Sequence, residues 1–256
     1  MSILEQFQLK GKVALVTGCS RPNGLGYGMA EALAEAGADI AGVDVGSFEE
    51  VQTLLAGAGR RFLGLQEDLT RSGAIAAVVE RTLKEFGRID ILVNNAGMIR
   101  RRPAIDFTEE DWDAILALNL KTVFFLSQAV AKVFLNQGTG GKIIQVASML
   151  SYQGGITVPA YTASKSGVAG ITRALANEWA RHRINVNAIA PGYMATDNTA
   201  ALRADAGRAA SILARIPAER WGENSDLKGT VVFLASAASD YVHGHILAVD
   251  GGWLAR

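Results

Sequence analysis

The sequence predicts an α/β fold in which one parallel sheet is covered by helices on both faces. Short apolar runs alternate with longer helical patterns along the chain, which is typical of strand–helix–strand units with right-handed crossovers. The short runs are rich in Val, Ile, Leu and Ala and do not alternate with polar residues, as expected of strands buried on both faces. Seven strands of a doubly wound sheet are therefore predicted, at 12–17, 39–44, 61–66, 89–93, 142–147, 184–190 and 245–249.

Helical patterns separate these strands. Thr108 stands before three acidic residues, which indicates an N-cap followed by carboxylates that favour the first turn of a helix. The segment 193–222 follows the sixth strand, is polar and helix-prone, and is interpreted as a substrate lid over the strand ends within one domain of residues 1–256. The predicted helices lie at 25–36, 71–86, 109–136, 159–181 and 225–236.

The charge balance and the few metal-binding side chains exclude several classes of function. Lys plus Arg and Asp plus Glu each number 25, so no net positive field favours nucleic acid or an anionic membrane. Residues 1–12 do not resemble a secretory signal, and no uncharged apolar run reaches the roughly 18 residues of a membrane span. A cytoplasmic protein without a metal site is expected, because Cys19 is the one cysteine and His182, His243 and His245 form no ligand pattern.

A glycine-rich turn connects the first strand to the first helix. Gly18, Gly24 and Gly26 allow the backbone to approach a pyrophosphate, and the helix N-terminus adds free N–H groups and a positive dipole end. A glycine pattern alone is weak evidence, but this one has the required strand–turn–helix context. The turn therefore predicts a dinucleotide site.

The second strand ends in a carboxylate that bears on the choice of cofactor. Asp44 can accept hydrogen bonds from both adenosine ribose hydroxyls and would repel a 2′-phosphate, although a helix cap or turn aspartate is the alternative. Arg21 is a counter-signal, since a basic residue in the glycine turn could meet a 2′-phosphate. Position 45 is Val rather than Arg, so NAD is favoured over NADP.

The next two strands also end in residues suited to a nucleotide. Asp68, followed by Leu69, could accept a hydrogen bond from the adenine amino group, and Asn95-Ala96-Gly97 suits close packing along a cofactor. Ligands of open α/β sheets collect outside the carboxyl ends of the strands. The shared position of these motifs is stronger evidence than any one of them.

Tyr161 and Lys165 are four residues apart, and this spacing places both side chains on one face of a helix. A nearby Lys charge favours the phenolate and lowers the pKa of a Tyr hydroxyl, whose ordinary value is about 10. The hydroxyl of Ser148 could hold the oxygen of an alcohol or carbonyl. These three side chains suit a reaction in which a proton moves to or from the substrate oxygen while a hydride moves to or from its carbon. The alternative is that Tyr161 and Lys165 form a chance pattern on a solvated helix.

Taken in order, these motifs resemble the short-chain dehydrogenase/reductase family. The resemblance includes Pro191-Gly192 and Thr196 and covers nearly the whole chain, but five residues rather than the usual three separate Gly18 from Gly24. It implies a Rossmann-like domain, a homotetramer and cofactor contacts along one cleft. The implied cofactor-binding residues are Gly18, Ser20, Arg21, Gly24, Leu25, Gly26, Asp44, Asp68, Leu69, Asn95, Ala96, Gly97, Tyr161, Lys165, Pro191, Gly192, Met194 and Thr196.

The resemblance also implies a catalytic tetrad. Tyr161 would be the general acid/base, and Ser148 would bind the reacting oxygen. Lys165 would lower the pKa of the Tyr161 hydroxyl and hold the nicotinamide ribose. Asn119 would hold a water that links Lys165 to solvent as a proton relay.

Arginines beside the expected pocket predict an acidic substrate, because guanidinium groups bind carboxylates in a bidentate manner, although basic runs are more often solvated edges. Residues 95–101, 147–155, 196–199 and 215–222 resemble the branch of 2-keto-3-deoxygluconate 5-dehydrogenases, also called 2-deoxygluconate 3-dehydrogenases, which implies a deoxy sugar acid of either type as substrate. Gluconate 5-dehydrogenase, a 3-ketoacyl-type reductase and a catalytically silent dinucleotide-binding module remain alternatives. The predicted substrate contacts are Arg100, Arg101, Met149, Gln153, Arg215 and Arg220.

Overall fold

The computed structural model describes residues 2–256 and contains a seven-stranded sheet in the order β3-β2-β1-β4-β5-β6-β7, with every neighbouring pair parallel. The predicted fold class is therefore confirmed. The strand order reverses between β1 and β4, which is where open α/β sheets bind ligands. The strands are β1 Val13–Thr17, β2 Asp39–Asp44, β3 Phe62–Gln66, β4 Ile91–Asn94, β5 Gly141–Val146, β6 Ile184–Pro191 and β7 Ile246–Val249.

Helices cover both faces of the sheet. On one face, Leu33 of the first helix and Val231 of the last join an apolar core with the strands, and on the other, Val78, Val130 and Phe134 do the same. Sequence analysis missed the second helix, which is only eight residues long and begins with two acidic residues. The helices are α1 Leu25–Glu35, α2 Glu49–Ala56, α3 Ala74–Phe86, α4 Glu109–Leu116, α5 Val123–Gln137, α6 Pro159–Trp179, α7 Ala200–Ala204, α8 Ala206–Leu213 and α9 Lys228–Ala235.

The long helix predicted at 109–136 is interrupted by a π-helical turn at Ala117–Thr122, between α4 and α5. Its predicted N-cap is confirmed, since the Thr108 hydroxyl accepts a hydrogen bond from the backbone N–H of Asp111 at 3.2 Å. Glu109–Gln137 is long and apolar enough to cross a membrane by length and composition. Leu126, with its neighbours on α5, is nevertheless buried against the sheet, as in the core helix of a globular domain.

The segment 193–222, here called the lid, leaves β6 and returns to nearly the same point. Its ends meet in a parallel bridge between Met194 and Gly222, where Gly222 donates from its backbone N–H to Tyr193 O at 2.9 Å. The short helices α7 and α8 lie between these ends. The lid is therefore fastened at its base, beside the carboxyl end of β6.

Candidate active site

A cleft of about 520 Å³ lies along the carboxyl ends of the first four strands and reaches α6. It brings together most of the predicted cofactor residues, whereas Ser20, Gly26, Pro191, Gly192 and Met194 lie outside its wall. The predicted residues that line it are Gly18, Arg21, Gly24, Leu25, Asp44, Asp68, Leu69, Asn95, Ala96, Gly97, Tyr161, Lys165 and Thr196.

The glycine turn has no room for side chains at two of its glycines. Gly18 has a φ of +70°, and a Cβ added at Gly26 would lie 2.2 Å from the carbonyl oxygen of Gly18. Gly24 is the N-cap of α1, so the first N–H groups of that helix face the cleft. This cradle fits the pyrophosphate of a dinucleotide, which needs close backbone approach and N–H donors.

The two extra residues of the turn change how it is held. The Pro22 carbonyl accepts a hydrogen bond from the Asn224 side chain at 3.0 Å, and Arg21 pairs with Asp197 of the lid at 3.5 Å. Both contacts join the turn to segments that flank the base of the lid. The longer turn is therefore braced from outside the β1–α1 unit.

The carboxylate of Asp44 organises this end of the cleft. Its Oδ2 accepts a hydrogen bond from Ser20 N at 3.0 Å, and its Oδ1 accepts one from Val45 N at 2.7 Å. Ser20 thus reaches the cofactor residues through its backbone and does not line the cleft itself. Asp44 still faces the cleft beside Val45, where an adenosine ribose would lie.

Asp68 at the adenine end is held by its neighbour. Its Oδ1 accepts hydrogen bonds from the backbone N–H and the hydroxyl of Thr70, at 2.9 and 2.7 Å. These bonds, the hydroxyl first, hold the pKa of the Asp68 carboxyl below its ordinary value. The group therefore stays an acceptor at neutral pH, as the sequence analysis requires.

The buried hydroxyl of Thr17 joins the glycine turn to the end of β4. It accepts hydrogen bonds from Asn95 N at 3.0 Å and Ala96 N at 2.9 Å. The side chain of Asn95 donates in return to the carbonyl oxygens of Thr17 and Gly18, at 2.9 and 2.8 Å. This reciprocal arrangement fixes the floor of the cleft, and sequence analysis did not assign Thr17 a role.

Tyr161 and Lys165 lie on α6 and both line the inner part of the cleft, as their spacing predicts. The Lys165 ammonium donates to the carbonyl oxygen of Val146 at 2.6 Å and lies 5.6 Å from the centre of the Tyr161 ring. Burial lowers the pKa of Lys165 to about 8. Ser148 lies two residues beyond the end of β5, and its hydroxyl accepts a hydrogen bond from Leu150 N at 3.1 Å.

The electrostatics of Tyr161 differ from the expectation. Desolvation raises the pKa of its hydroxyl, while the Ser148 hydroxyl and the positive charge of Arg101 lower it in part. The Lys165 ammonium is directed to the backbone of Val146 instead. In this arrangement Tyr161 is therefore a protonated acid, suited to giving a proton to a carbonyl oxygen.

Asn119 lies in the π-helical turn and is fully buried. Its side-chain oxygen accepts from Met98 N and its nitrogen donates to Met98 O, both at 2.9 Å, with a further contact to the Ser164 hydroxyl at 3.3 Å. Extra backbone residues of this kind are frequent at functional sites. The turn fixes Asn119 between the end of β4 and α6, beside the helix that carries Tyr161.

Comparisons with known proteins match this arrangement. A family model described as enoyl-(acyl carrier protein) reductase matches residues 18–254. The chain is 63% identical over 254 residues to a 2-dehydro-3-deoxy-D-gluconate 5-dehydrogenase of Escherichia coli K12, covering 99% of this chain and 100% of that one. The chain belongs to the short-chain dehydrogenase/reductase family. It is thus an oxidoreductase that acts on CH–OH groups with a nicotinamide dinucleotide.

Solved structures of this dehydrogenase/reductase family superpose closely on the chain. A structure from Agrobacterium tumefaciens, named as a candidate 2-deoxy-D-gluconate 3-dehydrogenase and containing NADP, is 51% identical with a TM-score of 0.90, over 98% of this chain and 99% of that one. A gluconate 5-dehydrogenase from Burkholderia cenocepacia, in complex with NADP and tartrate, is 39% identical with a TM-score of 0.93 over the full length of both chains.

Two of the predicted substrate arginines form salt bridges with nearby carboxylates. Arg100 pairs with Asp111, and Arg220 forms two hydrogen bonds with Asp226 at 2.8 and 2.7 Å. A guanidinium already paired with a carboxylate is a poor anchor for a second one. These two arginines are therefore held in internal salt bridges, and their contact with a substrate stays a prediction.

Arg101 has a different environment. Its guanidinium donates to the carbonyl oxygen of Asn198 in the lid at 3.1 Å, and its charge lowers the pKa of the Tyr161 hydroxyl. It forms no salt bridge with any carboxylate of residues 2–256. Of the three consecutive arginines, it is therefore the one whose charge lowers the pKa of the Tyr161 hydroxyl.

The other predicted substrate residues surround the C-terminal tail. Gln153 accepts a hydrogen bond from the indole N–H of Trp253 at 3.2 Å, and the guanidinium of Arg215 lies 3.9 Å above the same ring. Met149 is buried in an apolar cluster that includes Trp253 and reaches Tyr161. Sequence analysis missed Trp253, because nothing in the local pattern shows that residue 253 meets residue 153. None of the six predicted substrate residues lines the 520 Å³ cleft.

Within the part of the chain that the structure describes, no group of three or more His, Cys, Asp or Glu side chains could hold a metal ion. Cys19 is buried, and burial together with the charge of Asp44 raises the pKa of its thiol. The thiol therefore behaves as a small apolar group that packs beneath the glycine turn.

Proposed function

We propose that the protein is an NAD-dependent dehydrogenase that oxidises a secondary alcohol of a deoxy sugar acid, of the 2-dehydro-3-deoxy-D-gluconate type. The observation that carries the proposal is the position of Tyr161 and Lys165 at the inner end of a dinucleotide-shaped cleft. The 63% identity with a 2-dehydro-3-deoxy-D-gluconate 5-dehydrogenase, over 254 residues, supports the substrate class. The hydroxyl that reacts would be the one on carbon 5, by the name of that relative.

The chain's own residues would carry the proton. A bound nicotinamide supplies or accepts the hydride at the reacting carbon. In its phenolate form the Tyr161 Oη would take the proton from the substrate hydroxyl during oxidation, and in its protonated form it would return that proton during reduction, while the Ser148 hydroxyl would hold the same substrate oxygen. Lys165 lies close enough to contribute positive charge, with Asn119 positioned beside α6 to hold a relay water.

NAD is the cofactor that this chain favours over NADP. Asp44 presents a carboxylate to the cleft at the ribose end, where a 2′-phosphate would be repelled. Val45 is next to it, so the usual basic residue for a 2′-phosphate is absent at that position. Arg21 is exposed and paired with Asp197, which draws its charge toward the lid. Because two related structures contain NADP, the choice between NAD and NADP is the first part of the proposal to test.

The carboxylate of the substrate would be bound by Arg101. Its charge lies beside Tyr161 and is not neutralised by a salt bridge within residues 2–256, in contrast to Arg100 and Arg220. A planar guanidinium binds a carboxylate through two parallel hydrogen bonds. Gluconate is the second candidate substrate, since a gluconate 5-dehydrogenase superposes on the chain with a TM-score of 0.93 and has tartrate bound.

The assembly and location are proposed from the family resemblance. A homotetramer is expected, and Phe125 and Leu135 on α5 present apolar side chains that are 44% and 47% exposed, available to a partner subunit. A cytoplasmic location follows from the expected use of free NAD and a metabolic sugar acid. Light scattering on the purified protein measures the assembly directly, and a monomer would contradict it.

A panel of sugar acids, each with NAD and with NADP, tests the proposed function. We expect the highest kcat/KM for 2-dehydro-3-deoxy-D-gluconate with NAD, at least about 10-fold above gluconate and above the same substrate with NADP, which corresponds to about 1.4 kcal/mol in the transition state. Neutral sugars without the carboxylate serve as the control. Equal rates with acids and neutral sugars would reject the acid site.

A further inference from the structure

An apolar cluster that reaches Tyr161, at the inner end of the cleft, contains one tryptophan of the C-terminal segment. Trp253 is only 4% exposed, although it is the fourth residue from the C-terminus. It lies in an apolar cluster with Met149 and Ile216, and the ring of Tyr161 packs against the same cluster. Trp253 is therefore packed into the same apolar cluster that the Tyr161 ring contacts.

Three separate segments meet on the indole ring. Its N–H donates to the Gln153 side chain, from the loop after β5, at 3.2 Å. The ring of Tyr193, at the start of the lid, packs edge-on at 4.8 Å, and the guanidinium of Arg215, at the end of α8, lies 3.9 Å above its face.

Hydrogen bonds to the backbone hold the C-terminal segment in place and so fix the position of the Trp253 ring. Both oxygens of Asp250 accept backbone hydrogen bonds, from Gly252 N and Leu254 N, each at 2.9 Å. The backbone of Ala218 in the lid donates to Gly251 O at 3.0 Å. These bonds fix the turn that leads into Trp253 and join it to the lid.

The contact with Trp253 also decides which way Gln153 points. An indole N–H can only donate, so the oxygen of the Gln153 amide must face it. The amide nitrogen then points elsewhere and has no hydrogen-bond partner within residues 2–256. Arg215 likewise forms no salt bridge with the described carboxylates. Gln153 and Arg215 are thus both held in place by contacts with Trp253, while their N–H groups remain available to donate hydrogen bonds.

We propose that Trp253 is a positioning residue that presents Gln153 and Arg215 as hydrogen-bond donors to the substrate. The carboxylate and hydroxyl oxygens of a sugar acid are acceptors, which match two free donors beside an apolar cluster that reaches Tyr161. This inference rests on the proposed function for its substrate. It adds Trp253 to the residues that determine substrate binding, although Trp253 contacts neither the cofactor nor the reacting atoms.

Steady-state kinetics with 2-dehydro-3-deoxy-D-gluconate and NAD tests the proposal. Trp253→Phe keeps a ring for Arg215 but loses the N–H to Gln153, so the KM for the sugar acid rises about 5-fold. Trp253→Leu also loses the stacked guanidinium, so that KM rises by about 20-fold or more. In both variants kcat and the KM for NAD stay within about 2-fold of wild type, because the catalytic and nucleotide residues are untouched.

Two further variants separate positioning from general damage. Gln153→Glu keeps the acceptor for the Trp253 N–H but replaces the free donor with a negative charge, so the KM for the sugar acid rises by about 10-fold or more at unchanged melting temperature. Trp179→Phe is the matched control, about 27 Å from Tyr161 along α6, and leaves every constant unchanged. An unchanged sugar-acid KM in both Trp253 variants overturns the proposal, as does a fall of kcat with KM constant.

Amide hydrogen exchange of α8, measured without substrate, tests the positioning role of Trp253 independently of the proposed function. The amides of 206–213 exchange at least about 10-fold faster in Trp253→Leu than in Trp179→Phe if Trp253 holds the lid. A wild-type enzyme inactive on every sugar acid would reject the proposed function, and exchange would still decide the positioning role. Equal protection of α8 in the two variants rejects it.

Discussion

The hydroxyl of Thr17 offers a direct test of how the cleft is built. Thr17→Val keeps the shape of the side chain but removes the acceptor for Asn95 N and Ala96 N, which bond to it at 3.0 and 2.9 Å. Each lost bond costs about 1.5 kcal/mol, and the added methyl group returns about 0.8 kcal/mol through burial. The free energy of unfolding therefore falls by about 2 kcal/mol, which lowers the melting temperature by about 4–8 °C.

Thr82→Val is the matched control for this change. Thr82 is also fully buried, but its hydroxyl only donates to Val78 O within α3, so its loss leaves no N–H group without a partner. Urea unfolding of both variants measures the difference, and Thr17→Ser should restore stability. A free energy of unfolding for Thr17→Val within about 0.5 kcal/mol of the Thr82→Val value would refute the reasoning.

Three further predictions concern the cofactor and the buried lysine. Gly26→Ala brings a Cβ to 2.2 Å from the carbonyl of Gly18 and weakens NADH binding by about 100-fold or more, measured by fluorescence titration, whereas Gly229→Ala, with no atom near its Cβ, leaves binding unchanged. Asp44→Ala narrows the ratio of kcat/KM for NAD over NADP by about 10-fold or more, and an unchanged ratio would assign the choice to another group. The pKa of Lys165 falls from its ordinary 10.5 to about 8 on folding, so between these values the unfolded chain binds more protons and stability rises with pH. Urea unfolding from pH 8 to 10.5 should show this rise in wild type relative to Lys165→Met, and parallel curves for the two would contradict it.

The parts of the fold that depend on local pattern could be predicted from the sequence. Every strand lies within two residues of its expected position, because continuous apolar runs are a local signal of strands buried on both faces. The glycine turn and the Thr108 cap were predictable for the same reason. Helix α2 and the π-helical turn at Asn119 were not, since the first is only eight residues long and the second depends on packing of α4 and α5.

The substrate end could be predicted only in part, because its residues are defined by distant partners. Arg100 and Arg101 are neighbours in sequence, yet Arg100 forms a salt bridge with Asp111, whereas Arg101 donates to Asn198 O and its charge lowers the pKa of the Tyr161 hydroxyl. No local pattern separates them. Trp253 was missed because its contacts with Gln153 and Arg215 join segments about 100 and 40 residues apart, which only the tertiary fold brings together.

The central claim is that Tyr161 transfers the proton while a sugar-acid alcohol is oxidised with NAD. The direct measurement is the turnover of 2-dehydro-3-deoxy-D-gluconate by Tyr161→Phe, with the NADH dissociation constant measured on the same preparation. Because only the hydroxyl is removed, NADH binding should stay within about 2-fold of wild type while kcat falls by about 100-fold or more. A Tyr161→Phe enzyme that binds NADH normally and turns over at the wild-type rate would contradict the account.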